Sequence, residues 1–327
     1  MAGSPPRLRR CLLLSSLCLP LWAAISAHAQ GGPGTQPLRI VSAFPPGGPS
    51  DIISRAVAEK MAAALKQPVV VDNKAGAGGN LAAAEVAKST PDGTTVLTGI
   101  DTTFTVNPHV YDKLPFALKD LKPLMVMASS GLLVGTHPSL GVKTLADLVT
   151  KAKAGPLTFS SGSNGSPGHL AAAILTDATG AQITHVPYKG NSPAVMAVLS
   201  GEVQAGILAT PGMLPHVKAG KITALAVTGR QRSPLAPELP TTAEAGLKAL
   251  EVEVLYVAMV PASTPEPVMA TLRKAMADAL NQPDVRAQLA KLDMVHQGLA
   301  GDDAARRISS QGERFARIIK VTGMKIE

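Results

Sequence analysis

Two stretches of this chain combine glycine, proline and hydroxyl residues in a way that could bind an anion. The first is Phe44-Pro45-Pro46-Gly47-Gly48-Pro49-Ser50-Asp51, and the second is Ser160-Ser161-Gly162-Ser163-Asn164-Gly165-Ser166, followed by Pro167. Each follows an apolar strand pattern and precedes a helix pattern. A strand that turns into a helix start presents unpaired backbone N–H groups and the positive end of the helix dipole. Neither stretch contains lysine or arginine, so the capture would rest on backbone and hydroxyl donors. Asp51 would repel an anion and is read as a cap that holds its loop. Asp101 and Thr102, at the end of a third strand pattern, are further crevice-edge candidates.

Other chemistry finds little support in the sequence. There is no phosphate-binding loop, His-Glu-x-x-His, Gly-x-Ser-x-Gly or zinc spacing. Gly76-x-Gly78 could begin a dinucleotide fingerprint, but Leu81 stands where the third glycine belongs. That glycine run is read as backbone approaching the cleft. An exported hydrolase would need Ser163 and His169 as nucleophile and base, and no third member is recognisable. His169 is read as a structural hydrogen bonder. The sequence points to a binding protein without catalytic residues, cofactor or metal.

These loops need a scaffold of alternating strands and helices, and the chain supplies one. Strand patterns occur at 38–44, 68–71, 94–99, 123–127, 131–136, 157–160, 183–186, 204–208, 222–228 and 252–260. Helical periodicity occupies 50–66, 79–88, 144–154, 167–178, 192–200, 265–281, 284–291 and 302–320. Alternation of this kind implies α/β architecture with parallel sheets covered on both faces. Strand, glycine turn and helix start recur at 38–66 and 157–178, as two similar lobes sharing a crevice would require. The expected division is lobe 1 at 38–130 plus 256–327 and lobe 2 at 131–255. The chain would cross near 128–136 and return near 252–258.

Residues 1–29 read as a signal peptide. Arg7, Arg9 and Arg10 precede an apolar run, and Ala27-His28-Ala29 offers cleavage before Gln30. Residues 30–37 form a glycine-rich flexible leader. Cleavage would remove both cysteines (Cys11 and Cys18) and Trp22, and would lower the formal charge from +8 to +5. The mature chain would then lack disulfides and thiol chemistry. Its mild basicity without arginine clusters or interleaved aromatics argues against nucleic acid. Expected are a soluble location outside the cytoplasm, a monomeric state and a small organic carboxylate as ligand.

Taken together, the motifs resemble the Bug family of extracytoplasmic solute receptors, the binding components of tripartite tricarboxylate transporters. The resemblance rests on FPPGGPSD (44–51), VVVDNKAGAGGN (69–80), SSGSNGSPGHL (160–170), HVPYKGNSPAV (185–195) and RSPLAPELPTTAEAGL (232–247) in this order. It implies a two-lobed type II periplasmic-binding-protein fold, with two doubly wound lobes joined by two crossover segments. It also implies a carboxylate held at Phe44 to Ser50 and Ser160 to Ser166, and delivery to a two-subunit membrane carrier. A receptor feeding a sensor would have the same site. Many members carry an Asp-Asn pair where this chain reads Ile207-Leu208-Ala209-Thr210-Pro211, and tryptophan in place of Leu255. Leu208 thus joins the expected binding residues, as an apolar replacement in the distal pocket.

Overall fold

The computed structural model describes residues 36–325. The expected signal peptide and most of the leader lie outside the described residues.

The chain begins with β1 (Leu38–Ser42), α1 (Pro49–Leu65), β2 (Val69–Asn73), α2 (Asn80–Ala87) and β3 (Thr95–Ile100). Two short helices follow, α3 (Thr102–Thr105) and α4 (Asn107–Val110), and then the long strand β4 (Leu121–Thr136). The middle of the chain supplies α5 (Leu145–Ala154), β5 (Leu157–Ser161), α6 (Pro167–Thr179), β6 (Ile183–Pro187) and α7 (Asn191–Ser200). Next come β7 (Ala205–Ala209), α8 (Thr210–Lys218), β8 (Thr223–Val227) and β9 (Glu253–Pro261). The last elements are α9 (Glu266–Leu280), α10 (Pro283–Lys291), β10 (Val295–Ala300) and α11 (Gly301–Thr322).

The strands form two similar halves. In one, the order is β2-β1-β3-β9-β4, with β10 on the far side of β4. In the other, β4 lies between β8 and β7, and β5 and β6 complete the order. The strands ahead of the helix starts pair in parallel: β1 with β2 and β3, and β5 with β6 and β7. The connecting strands β4 and β9 pair antiparallel, from Leu121↔Pro261 to Gly131↔Glu253. From Leu132 onward β4 pairs β7, opposite Ala209. The two crossovers are therefore one antiparallel ribbon, and both halves of the sheet are mixed where parallel sheets were expected.

Three further differences have local causes. The patterns at 123–127 and 131–136 are one strand, because Ala128 to Gly131 stay extended to pair with β9. Helix α8 was not expected, since Pro211, Gly212 and Pro215 all argue against helix. Pro211 sits in the first turn, where no N–H is needed, and the helix ends soon after Pro215. Strand β10 was masked by the half-exposed His296-Gln297-Gly298, where its pairing with β4 shifts register and Gly298 takes φ +62°.

Apolar faces at helical spacing fasten the helices to the sheet. Ile53, Val57 and Met61 of α1 are fully or nearly buried and join Leu38, Ile40 and Leu124 in one cluster. Each such side chain contributes about 1.5–3 kcal/mol on burial. The C-terminal helices return to the first half, where α9 packs on α1 and α11 packs on β4 and α3. α11 also touches α6 of the second half.

Candidate functional site

Both loops singled out in the sequence border one cleft of about 640 Å³, counted out to its open mouth. In the first, Gly47 takes φ +77° and Gly48 is the extended residue before α1. Asp51 holds this loop. Its Oδ2 accepts from Gly47 N at 2.9 Å, its Oδ1 accepts from Asn73 Nδ2 at 2.8 Å, and Arg55 pairs with it. Burial pushes the Asp51 carboxyl up, but hydrogen bonds from Arg55, Gly47 and Asn73 outweigh this and leave it below its ordinary range. Ser50 makes no capping bond. It is 3 % exposed and its Oγ has no partner, so a donor is left at the cleft wall.

The second loop is folded on itself. Ser166 caps α6, its Oγ accepting from His169 N. Ser161 Oγ lies 2.6 Å from His185 Nε2, and Gly165 N donates to His169 Nδ1 at 3.3 Å. The two imidazoles stack with centroids 3.8 Å apart and planes within 4°. Burial lowers His169 to about 3, with His185 beside it adding to the effect, and burial lowers His185 to about 4. This neutral pair forms a plate under the loop. His169 is structural here, and Ser163 has no base beside it among its hydrogen-bond partners.

Of the expected binding residues, Phe44, Gly48, Ser50, Gly162, Ser166 and Leu208 line the cleft. Pro46 and Gly47 lie on the exposed shoulder of the first loop. Ser163, Asn164 and Gly165 shape the second loop without bordering the cleft. The carbonyl of Asn164 instead abuts Gly78, where an added Cβ would come within 3.3 Å of it. Ser160 turns away and donates to Ala194 O at 3.0 Å. Asp101 and Thr102 are also not at the crevice edge. Asp101 is 0 % exposed and accepts from Leu255 N at 2.9 Å, Gln311 Nε2 at 2.6 Å and Thr105 Oγ1 at 3.2 Å. Burial raises its carboxyl to about 6, against the opposing pull of those donors. It ties β3 to β9 and α11.

Other parts of the wall were not anticipated. Gly190 to Pro193, at the start of α7, line the cleft, as do Leu132, Val254 and Tyr256 of the connecting ribbon. The Gly-Asn-Ser-Pro sequence repeats the glycine/serine-then-proline signature of the other helix starts and could have been read that way. The ribbon residues carried no such signal, because only the pairing of β4 with β9 brings them here. Leu255, by contrast, is fully buried in the core. Helices α1, α6 and α7 thus start at the cleft, α8 reaches it only through its cap residue Ala209, and among the described residues no Asp, Glu, Lys, Arg or His borders it. Among the described residues, no group of three or more His, Cys, Asp or Glu could hold a metal ion, and no helix is long and apolar enough to cross a membrane.

Comparison with known proteins places this geometry. Residues 53–324 match the Tripartite tricarboxylate transporter family receptor. Protein BugT of Bordetella pertussis is 32% identical over 296 residues, covering 89% of this chain and 91% of BugT. The solved structure of Rpa4515 from R. palustris with adipate superposes with a TM-score of 0.85 at 31% identity, covering 89% of this chain and 98% of that one. MatC from Rhodopseudomonas palustris with bound malate gives 0.80 at 27% identity, covering 86% and 98%. Both solved structures share the fold of this chain, one holding adipate and the other malate. With a shared fold, a cleft ringed by helix starts and a family match over most of its length, the chain belongs to the Bug-type receptors of tripartite tricarboxylate transporters, a periplasmic solute-binding family.

Proposed function

We propose that this protein captures a small organic carboxylate in the cleft and delivers it to a two-subunit membrane carrier. The observation that carries the reading is the convergence of the starts of α1, α6 and α7 on a wall that, among the described residues, carries no charged side chain. N–H groups in the first turn of a helix have no intrahelical partner, and the helix dipole favours a negative charge there. The ligands named for Rpa4515 and MatC, adipate and malate, agree with this chemistry. We treat 38–130 with 256–327 as one lobe and 131–255 as the other, closing about the β4–β9 ribbon. In this reading the chain is exported, cleaved near Ala29–Gln30, and acts as a monomer in the periplasm.

A thermal-shift panel of organic acids against their neutral amides tests the capture. A ligand at 100 times its dissociation constant should stabilise the fold by about 2.7 kcal/mol. At least one acid should do so while its amide does not. Equal responses to acid and amide would refute a site built for negative charge.

A further inference from the structure

The helix starts of the cleft are gathered together, and the rest of its wall, among the described residues, carries no charged side chain. Gly190 N donates to Gly162 O at 2.6 Å, and a Cβ on Gly162 would come within 3.4 Å of Asn191 N. Asn191 Oδ1 accepts from Ala209 N at 2.9 Å, which ties the starts of α7 and α8 together and leaves Asn191 Nδ2 unpartnered. Pro45 of the first loop packs against Gly190, bringing the start of α1 to the same place. The buried, unpartnered Ser50 Oγ at this wall is an independent sign that a ligand atom completes the group.

The strand-borne wall has a different character. It consists of Ile100, Leu132, Ile207, Leu208, Val254 and Tyr256. Its one polar side-chain atom is the Tyr256 hydroxyl, which shares a 3.1 Å hydrogen bond with Ser130 Oγ in which either oxygen can donate, so it offers at most a single neutral donor. A carboxylate or ammonium group placed against this surface would lose hydration and gain no charged partner.

We infer that the ligand is single-headed: one carboxylate at the gathered helix starts and an uncharged, apolar tail along the strand-borne wall. This rests on the carboxylate reading above and narrows it. It separates the chain from the neighbours solved with adipate and malate, and it makes Leu208 a specificity-determining residue against cationic tails.

Calorimetry on the full-length mature protein with four six-carbon compounds tests it: hexanoate, adipate, 6-aminohexanoate and hexanamide. Hexanoate should bind at least tenfold more tightly than adipate and 6-aminohexanoate, and hexanamide should bind weakest. In Leu208→Asp the gap between hexanoate and 6-aminohexanoate should close at least tenfold. The ranking on the unmodified protein decides the matter even if that variant fails to fold. Adipate or 6-aminohexanoate binding as tightly as hexanoate overturns the single-headed ligand while leaving carboxylate capture in place. Hexanamide matching hexanoate, or no binding by either acid at millimolar concentration, overturns both.

Discussion

Histidines 169 and 185 should account for about 3 kcal/mol of stability lost between pH 7 and pH 5. Burial holds His169 near 3 and His185 near 4 in the folded chain, whereas an unfolded histidine titrates near 6.5. A depressed base stabilises the fold fully above the unfolded value and loses that contribution as pH falls toward the folded one. At pH 5 the unfolded imidazole is about thirtyfold more stable protonated than neutral, while the stacked pair stays mostly neutral. This gives about 2 kcal/mol for each fully sequestered ring. Because both folded values lie below 5, the figure is set mainly by the unfolded one. His185 is the more solvent-open of the two, so its share is reduced to about 1 kcal/mol for screening. The assay is urea unfolding at pH 7, 6 and 5, comparing the parent with His169→Gln/His185→Gln. Glutamine can keep bonds to Gly165 N and Ser161 Oγ without titrating. The parent should lose about 3 kcal/mol more than the variant over this range. Parallel pH curves, or ring protons titrating near 6.5 by NMR, would refute the reasoning.

Asp101 should act in the opposite direction. Its folded value of about 6 lies above the unfolded 3.9, so its charged form weakens the fold as pH rises from about 4 through 6. Asp101→Asn should remove a contribution of about 1 kcal/mol between pH 5 and 7, read from the same urea curves, and an unchanged slope would count against it. Gly190→Val should hold the two halves apart, because Gly190 has φ +118° and its Cβ would stand 3.1 Å from Pro45. Carboxylate affinity should fall at least tenfold by calorimetry, whereas Gly180→Val, also at positive φ (+71°) but with open space around it, should leave affinity unchanged. Equal affinities for the two variants would count against the Gly190–Pro45 contact as what sets closure.

The parts legible in the sequence were those with local causes. The loop at 44–51 combined strand, glycine turn and proline-started helix within one stretch, and Asp51 could be identified as its brace from charge alone. The same logic found Gly162 and Ser166. It failed where position depends on distant pairing. Asp101 ends a strand, as a crevice residue would, but Gln311, 210 residues further on, covers it. The strand-borne wall was hidden for a similar reason, since Leu132 and Val254 become neighbours only through the β4–β9 ribbon. Composition disguised α8 behind its prolines. Leu208 borders the cleft and also packs in the core cluster with Leu133 and Met213, so its two readings from sequence are both partly right.

The bond between Gln311 and Asp101 also has a consequence for how the chain is made. A ribosome that has just added Asp101 must add 210 more residues before the donor that completes its burial exists. Phe315, fully enclosed in the same C-terminal helix, arrives later still. Strands β1, β2 and β3 therefore belong to a layer that stays incomplete until α11 has been made. Such sequence-distant closure slows folding and leaves apolar surface open during synthesis. Chains truncated just before residue 311 should accumulate as partly folded species with Asp101 unsealed, detectable by rapid amide exchange at Leu255.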